Sequence, residues 1–148
     1  MTSDAYPGLP DPGLHSELYA DIPLKRAVAW VIDIFVIALM VVLAVFLTVF
    51  LTIYFLPVLW LMIGFLYRVI TITRGSATWG MRVVSIELRN RRGERFSLGD
   101  AILHTGLYSL CVSFLIPQLI SAAMMLTTAR AQGLHDLALG TVAINRGR

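Results

Sequence analysis

Arg26, Asp33 and Asp136 are the residues whose types and positions could support chemistry in this 148-residue chain. Asp33 lies within "LKRAVAWVIDIFVIALM", and no other charged residue occurs between Ala27 and Tyr67. A carboxylate at the centre of a membrane helix costs about 3 kcal/mol. Such a side chain either binds a cation or a proton in a water-filled cavity, or forms an ion pair that fixes helix packing. Both interpretations apply to Asp33.

Two arginines are within reach of Asp33 according to the sequence. Arg26 precedes it by seven residues, about two helical turns, so both side chains share one helix face. Arg68 is expected at a similar depth on an antiparallel second helix. Because an aspartate beside an arginine resists protonation, either pair would favour the packing role over proton exchange.

His135 and Asp136 are adjacent in "RAQGLHDLALGTVAINR". A metal site would need further ligands, and the other histidines, His15 and His104, are distant in the sequence. The single cysteine, Cys111, lies in an apolar segment, and no nucleophile motif accompanies the His–Asp pair. The sequence therefore predicts no enzyme, no metal site and no cofactor. Asp136 is expected to cap a helix or to pair with a basic residue.

The polar segment over residues 73–99 contains "GSATWGMRV", which is glycine-rich and basic. It lacks the GK[ST] element of a phosphate-binding loop, so nucleotide binding is not predicted. Nucleic-acid binding is not predicted either, because no recognisable motif occurs. A basic cluster follows, which indicates the cytoplasmic side of a membrane or contact with anionic lipid head groups. Its members are Arg89, Arg91, Arg92 and Arg95.

The composition is that of a membrane protein, with 57% hydrophobic and only 14% charged residues. Soluble domains carry about 25% charged residues. Two apolar helices are predicted near 27–50 and 54–72, joined as a transmembrane hairpin. A third apolar helical region, 100–129, is expected to break near Pro117. The predicted fold is therefore an all-α polytopic membrane protein with three to four membrane segments.

The remaining segments are predicted to be cytoplasmic. Residues 1–22 are acidic and proline-rich, which indicates a flexible tail. Residues 73–99 are expected to contain a β-hairpin-like element, because 84–89 alternate between apolar and polar and "NRRG" precedes a possible return strand, "ERFS". The C-terminal segment 130–148 contains another short strand, "GTVAIN", which would allow a two- or three-stranded cytoplasmic element if the C-terminus is also inside. The positive-inside rule puts the N-terminus in the cytoplasm. The C-terminus joins it if the third region turns back at Pro117, and lies outside if that region crosses once.

Arg26, Asp33 and "QGLHDLALGT" together resemble the RDD family of small prokaryotic integral membrane proteins, named for one arginine and two aspartates. The resemblance covers roughly residues 20–146, with 23–146 as the membrane domain. "SATWGMRVVSIELRNRRGERFSLGDA" is similar to the family's linker. Met81 stands where the family often has lysine, with Arg82 next to it, and His104 stands where arginine is common.

The resemblance implies that Arg26 is the family arginine and that Asp33 and Asp136 are its two aspartates. It implies a multi-pass protein of the prokaryotic inner (plasma) membrane with a transport-related role, either cation/proton exchange or transport of an unknown ligand. The alternative is a structural or accessory subunit. The expected partners are the lipid bilayer and a second copy or other membrane subunits. We hypothesise that the three family residues form one charged cluster, with Arg68, Arg82 and His135 as neighbours.

Overall fold

The computed structural model describes residues 7–147, which form seven α-helices and one two-stranded sheet. The helices are α1 (Ser16–Tyr19), α2 (Ile22–Leu47), α3 (Leu56–Gly75), α4 (Trp79–Val83), α5 (Leu98–Ser113), α6 (Leu115–Thr127) and α7 (Leu134–Leu139). The strands are β1 (Ile86–Arg89) and β2 (Val142–Asn145).

The two longest helices, α2 and α3, pack against each other as a hairpin and are long and apolar enough to cross a membrane. Both begin with a proline in the first turn, where its missing N–H has no helical partner to lose. Ile37, Val41 and Val45 of α2 are buried with Tyr67 of α3. Their outer faces expose large apolar side chains, as expected of helices that contact lipid. The two predicted apolar helices and their packing as a hairpin are confirmed, and their crossing of a membrane stays a prediction.

The third apolar region is broken, as predicted. Helix α5 ends at Ser113 and α6 begins at Leu115, and their axes are bent by 116°. Pro117 lies in the first turn of α6, where proline is tolerated. The described chain therefore has two helices that could cross a membrane, or three spans if the bent pair counts as one.

The predicted β-hairpin is wrong. Strand β1 pairs with β2, in antiparallel register from Ile86 opposite Asn145 to Arg89 opposite Val142. The supposed return strand leads instead into α5. Ser97 accepts a hydrogen bond from the backbone of Asp100 at 3.2 Å, and the Asp100 carboxylate accepts one from the Ser97 backbone at 3.0 Å. This capping box starts α5 directly after residues 94–97, which form no strand.

The N-terminal segment packs on the same sheet. Leu9 and Tyr19 are buried against Val142 and Ile144 of β2. The Asn145 side chain donates to the backbone carbonyls of Glu17 and Ala20 at 2.8 and 2.9 Å. Of the predicted flexible tail, 1–22, residues 7–21 thus form turns and α1 in contact with the sheet, and residues 1–6 lie outside the described residues.

These contacts gather the chain's two terminal segments at one end of the helical hairpin. Ile22 at the start of α2 and Ile72 near the end of α3 share a buried core with Ile86, Leu88 and Ala143 of the sheet. The N-terminal segment, the sheet and α7 therefore surround the end of the hairpin where α2 begins.

Candidate functional site

The three family residues lie in two separate polar clusters. The first, which we call the Asp136 network, consists of Arg26, His104, His135, Asp136 and Thr141. The second, which we call the Asp33 node, consists of Asp33, Tyr67, Thr78 and Gly80. Each cluster connects segments that are far apart in the sequence.

Asp136 is fully buried in α7 and accepts four hydrogen bonds. Oδ2 accepts from Arg26 Nη1 at 2.6 Å and from the Gly133 backbone at 3.0 Å. Oδ1 accepts from His104 Nε2 at 3.0 Å and from the Thr141 hydroxyl at 3.1 Å. The two oxygens offer about four acceptor positions, so the carboxylate is saturated. Asp136 thereby both caps α7 and pairs with Arg26 of α2.

The protonation of this network follows from burial and neighbouring charge. Burial alone would raise the pKa of Asp136, but the Arg26 guanidinium and the hydrogen bond from His104 hold that pKa well below its usual 3.8. Burial lowers the pKa of His135 to about 4, although the Asp136 charge acts in the opposite direction. The neutral His135 ring can then accept at Nε2 from Arg26 Nη2, 3.2 Å away.

His135 is enclosed on its other sides. The rings of His104 and Tyr108 pack edge-on against it, with centroids 4.9 and 5.6 Å away. Its Nδ1 is buried and has no hydrogen-bond partner among residues 7–147. A proton added to this ring would face the Arg26 guanidinium, so the neutral form is the one that fits the structure.

Acidification from pH 6.5 to 4 is therefore expected to destabilise the fold. In this window the unfolded chain protonates His135 while the folded chain does not, so the free energy of unfolding falls as the pH decreases. The loss amounts to about 3 kcal/mol at most, and above pH 6.5 His135 contributes no pH dependence. The measurement is SDS-induced unfolding in mixed micelles at a series of pH values.

The matched variants for this experiment are His135→Asn and His15→Asn. His15 is exposed, and within residues 7–147 its ion pair is with Glu17. His135→Asn should flatten the pH dependence between 4 and 6.5, whereas His15→Asn should leave it unchanged. A pH dependence that survives in His135→Asn would contradict the assignment.

His104, His135 and Asp136 are also the described residues that could hold a metal ion, since one ligand atom of each lies within 4.8 Å of the others. Both oxygens of Asp136 are already occupied, however. A cation bound to His135 Nε2 would also displace or face the Arg26 guanidinium, 3.2 Å away. The donor set fits an internal ion-pair network better than a metal site.

Asp33 lies in the middle of α2 and is only 3% exposed. Its Oδ1 accepts from the Tyr67 hydroxyl at 2.6 Å and from the Gly80 backbone at 2.9 Å, and its Oδ2 accepts from the Thr78 hydroxyl at 2.6 Å. The carboxylate thus ties α2 to α3 and to the start of α4. All three donors are neutral.

The prediction that Arg26 or Arg68 pairs with Asp33 is wrong: neither forms an ion pair with it within residues 7–147. Arg26 turns to Asp136. Arg68 instead lies over the Tyr108 ring, with its Cζ 4.8 Å from the ring centroid, and donates to the Tyr108 hydroxyl at 3.4 Å. The hypothesis of a single charged cluster is corrected accordingly, because the close approach of α4 supplies Asp33 with donors of its own.

Arg82, the remaining predicted neighbour, binds neither aspartate. Its Nη2 donates to the Thr71 carbonyl at 3.3 Å. That contact holds α4 against the end of α3. Arg82 therefore belongs to the packing of this region, not to either polar cluster.

A cavity of ≈ 360 Å³ lies between α2, α3, α4, α5 and α6, and we call it the α2–α6 cavity. Arg26, Asp33 and Arg68 all line it, so both clusters reach its wall. Its other polar lining groups include Tyr108 and Gln118, and the rest of the wall is mostly apolar. Asp136 and His135 lie behind the wall and hold Arg26 in place.

Sequence reasoning missed several of these contributors. Tyr67, Thr78 and Tyr108 are uncharged, and their roles depend on where helices pack. His104 was noted only as a replacement for arginine, although it donates to Asp136. The one usable signal was Gln118, an amide in the middle of an apolar segment, which membrane helices seldom carry without a partner or a cavity.

Comparison with known proteins identifies the family of the chain. No curated protein and no solved structure matches the chain. A family model does match: residues 22–140 fit that of the RDD family. The match covers both apolar helices of the hairpin and the broken third region, and it includes the positions of Arg26, Asp33 and Asp136. The chain belongs to the RDD family, whose members are membrane proteins.

Proposed function

We propose that this protein binds a small ligand in the α2–α6 cavity as part of a transport-related activity in the inner membrane of a prokaryotic cell. The observation that carries the proposal is the presence of Arg26, Asp33 and Arg68 in one cavity wall between long apolar helices. Ionisable side chains at membrane depth are costly and usually face a partner or a cavity. The cavity volume also falls within the range of ligand sites, about 300–1,000 Å³.

The proposed topology has both termini in the cytoplasm. The supporting observation is that the N-terminal segment, β1 and β2 contact one another at one end of the hairpin. The basic cluster begins with Arg89, the last residue of β1, and basic residues favour the cytoplasmic side. Because three or four short helices seldom enclose a pathway alone, the proposal includes a homo-oligomer.

Asp33 is the proposed ion-binding group if the activity is cation/proton exchange. Three of its roughly four acceptor positions are occupied, which leaves one position at Oδ2 for a cation or a proton. The Arg26–Asp136 pair would then hold Arg26 in the same cavity wall as this carboxylate. A ligand that is not a cation would use the arginines instead.

Asp33→Asn is expected to abolish sodium-, potassium- or lithium-driven proton movement in everted vesicles. The host should lack its own major antiporters, and expression should be matched. Asp21→Asn is the control, because Asp21 is exposed and makes no side-chain cap at the start of α2. Proton movement in vesicles with the Asp21→Asn variant should equal that of the wild type. Wild-type flux no greater than that of empty membranes would contradict cation/proton exchange.

A structural or accessory role is the second candidate. It is favoured by the saturation of Asp136 and by the neutral donors around Asp33, since both are what a packing contact requires. In that case Asp33→Asn should reduce accumulation and stability, and other membrane subunits should co-purify with the wild type. Normal accumulation with lost flux supports transport instead.

A further inference from the structure

Arg68 is a guanidinium in an apolar helix without a carboxylate partner. Its only described polar contact is the Tyr108 hydroxyl, at 3.4 Å. Among residues 7–147 no carboxylate oxygen lies within 4.0 Å of it. Arg26, the other cation of the cavity wall, is neutralised by Asp136 at 2.6 Å. Arg68 is therefore the cation of the wall whose charge remains available to a ligand.

Two neutral donors accompany Arg68 in the same wall. The Tyr108 hydroxyl accepts from Trp30 Nε1 at 2.8 Å and from Arg68, which leaves its own proton without an acceptor among the described residues. The Gln118 amide makes no side-chain hydrogen bond in that part of the chain. Arginine, hydroxyl and amide donors together are the groups that bind phosphate oxygens.

The carboxylate of Asp33 in the same wall does not cancel the preference of these donors for phosphate oxygens. Asp33 already receives three hydrogen bonds from neutral donors, so its charge is stabilised without Arg68. Most of the remaining wall is formed by apolar side chains, which include Ile72, Ala122 and Met125. It extends to Trp30 and Leu126, which are 42% and 76% exposed, so the cavity reaches the apolar outer surface of the protein.

We propose that the α2–α6 cavity binds a phosphate group that carries an acyl chain, that is, an anionic phospholipid. The head group would accept hydrogen bonds from Arg68, Tyr108 and Gln118, and the acyl chain would lie along the apolar wall toward Leu126. This inference rests on the proposed function, because it takes the same cavity as the ligand site and names the ligand's chemical class.

Trp30 provides a probe inside the cavity. In a Trp60→Phe/Trp79→Phe background it is the remaining tryptophan, so its fluorescence reports on lipid in contact with the cavity wall. The protein is reconstituted in vesicles that contain brominated phosphatidylglycerol or brominated phosphatidylcholine. Phosphatidylglycerol should quench Trp30 at a mole fraction about tenfold lower, the factor expected of a charge-assisted hydrogen bond.

Arg68→Gln should remove the preference for phosphatidylglycerol and leave quenching by phosphatidylcholine unchanged. Arg74→Gln is the matched control, because Arg74 is exposed on the same helix and does not line the cavity. That control should keep the preference. Should Arg68→Gln fail to fold, Arg68→Lys and Gln118→Leu test the same site, and each is expected to weaken the preference several-fold.

Three results would overturn the inference. The first is equal quenching by the two lipids. The second is a preference that survives Arg68→Gln but is lost in Arg74→Gln, since surface attraction would then explain it. The third is competition by soluble inorganic phosphate, which would show that no acyl chain is needed. A preference for phosphatidylglycerol without ion flux would overturn the transport proposal alone. Ion flux without that lipid preference would overturn only the inference that the ligand is an anionic phospholipid.

Discussion

Replacement of Asp136 by asparagine is expected to lower the free energy of unfolding by about 3–5 kcal/mol. The carboxylate is fully buried, and the Arg26 side chain that it neutralises is only 10% exposed. Asparagine would leave that guanidinium buried without a counter-charge. Its amide would also present donor protons to Arg26, Gly133, His104 or Thr141, all of which now donate. SDS-induced unfolding in mixed micelles, followed by circular dichroism, measures the effect.

Asp100→Asn is the control for this substitution. Asp100 is also an aspartate that accepts hydrogen bonds at the start of a helix, but it is only partly buried and pairs with no arginine. Its replacement should cost about 1 kcal/mol, the usual value of a helix cap. The double variant Arg26→Gln/Asp136→Asn should be less destabilised than the two single variants added together. If the effects of the two single substitutions simply add up in this double-mutant cycle, a direct Arg26–Asp136 interaction would be contradicted.

Replacement of Gly80 by alanine is expected to destabilise the protein by about 4 kcal/mol. Helix α4 crosses α2 so closely at this glycine that a Cβ would overlap the carbonyl oxygen of Ala29 and lie 2.9 Å from its carbonyl carbon. Backbone atoms cannot move aside by changing rotamer. The displacement would also break the hydrogen bond from the Gly80 backbone to Asp33. Thermal unfolding and the yield of folded protein would report the change.

Gly106→Ala separates this clash from a general effect of the substitution. Gly106 lies inside α5, and no atom would lie within 4 Å of an added Cβ. Alanine favours a helix over glycine by up to about 1 kcal/mol, so this variant should be neutral or slightly stabilised. Equal losses from both glycines would show that α4 does not depend on close contact with α2.

Much of the architecture could be predicted from local patterns. The two apolar runs predicted the helical hairpin, because the lack of charge over some 20 residues is itself the physical requirement for crossing lipid. Pro117 predicted the break between α5 and α6. The alternation over 84–89 and the apolar run in "GTVAIN" marked both strands. The family resemblance selected Arg26, Asp33 and Asp136.

The tertiary structure decided which side chains and strands pair with one another. Arg26 and Asp33 are seven residues apart on one helix, yet Arg26 pairs with Asp136, 110 residues away in sequence. Sequence spacing favours the local pair. However, α3 gives Asp33 one neutral donor, Tyr67, and the close crossing of α2 and α4 gives it two more, Thr78 and Gly80, so that Arg26 pairs with the α7 carboxylate instead. Strand β1 likewise pairs with β2 and not with residues 94–97, which form no strand and lead directly into the capping box at the start of α5. Apolar length and helix breaks are properties of a short window of residues, whereas a buried charge is satisfied by whichever donors the packing of distant helices brings within hydrogen-bond distance.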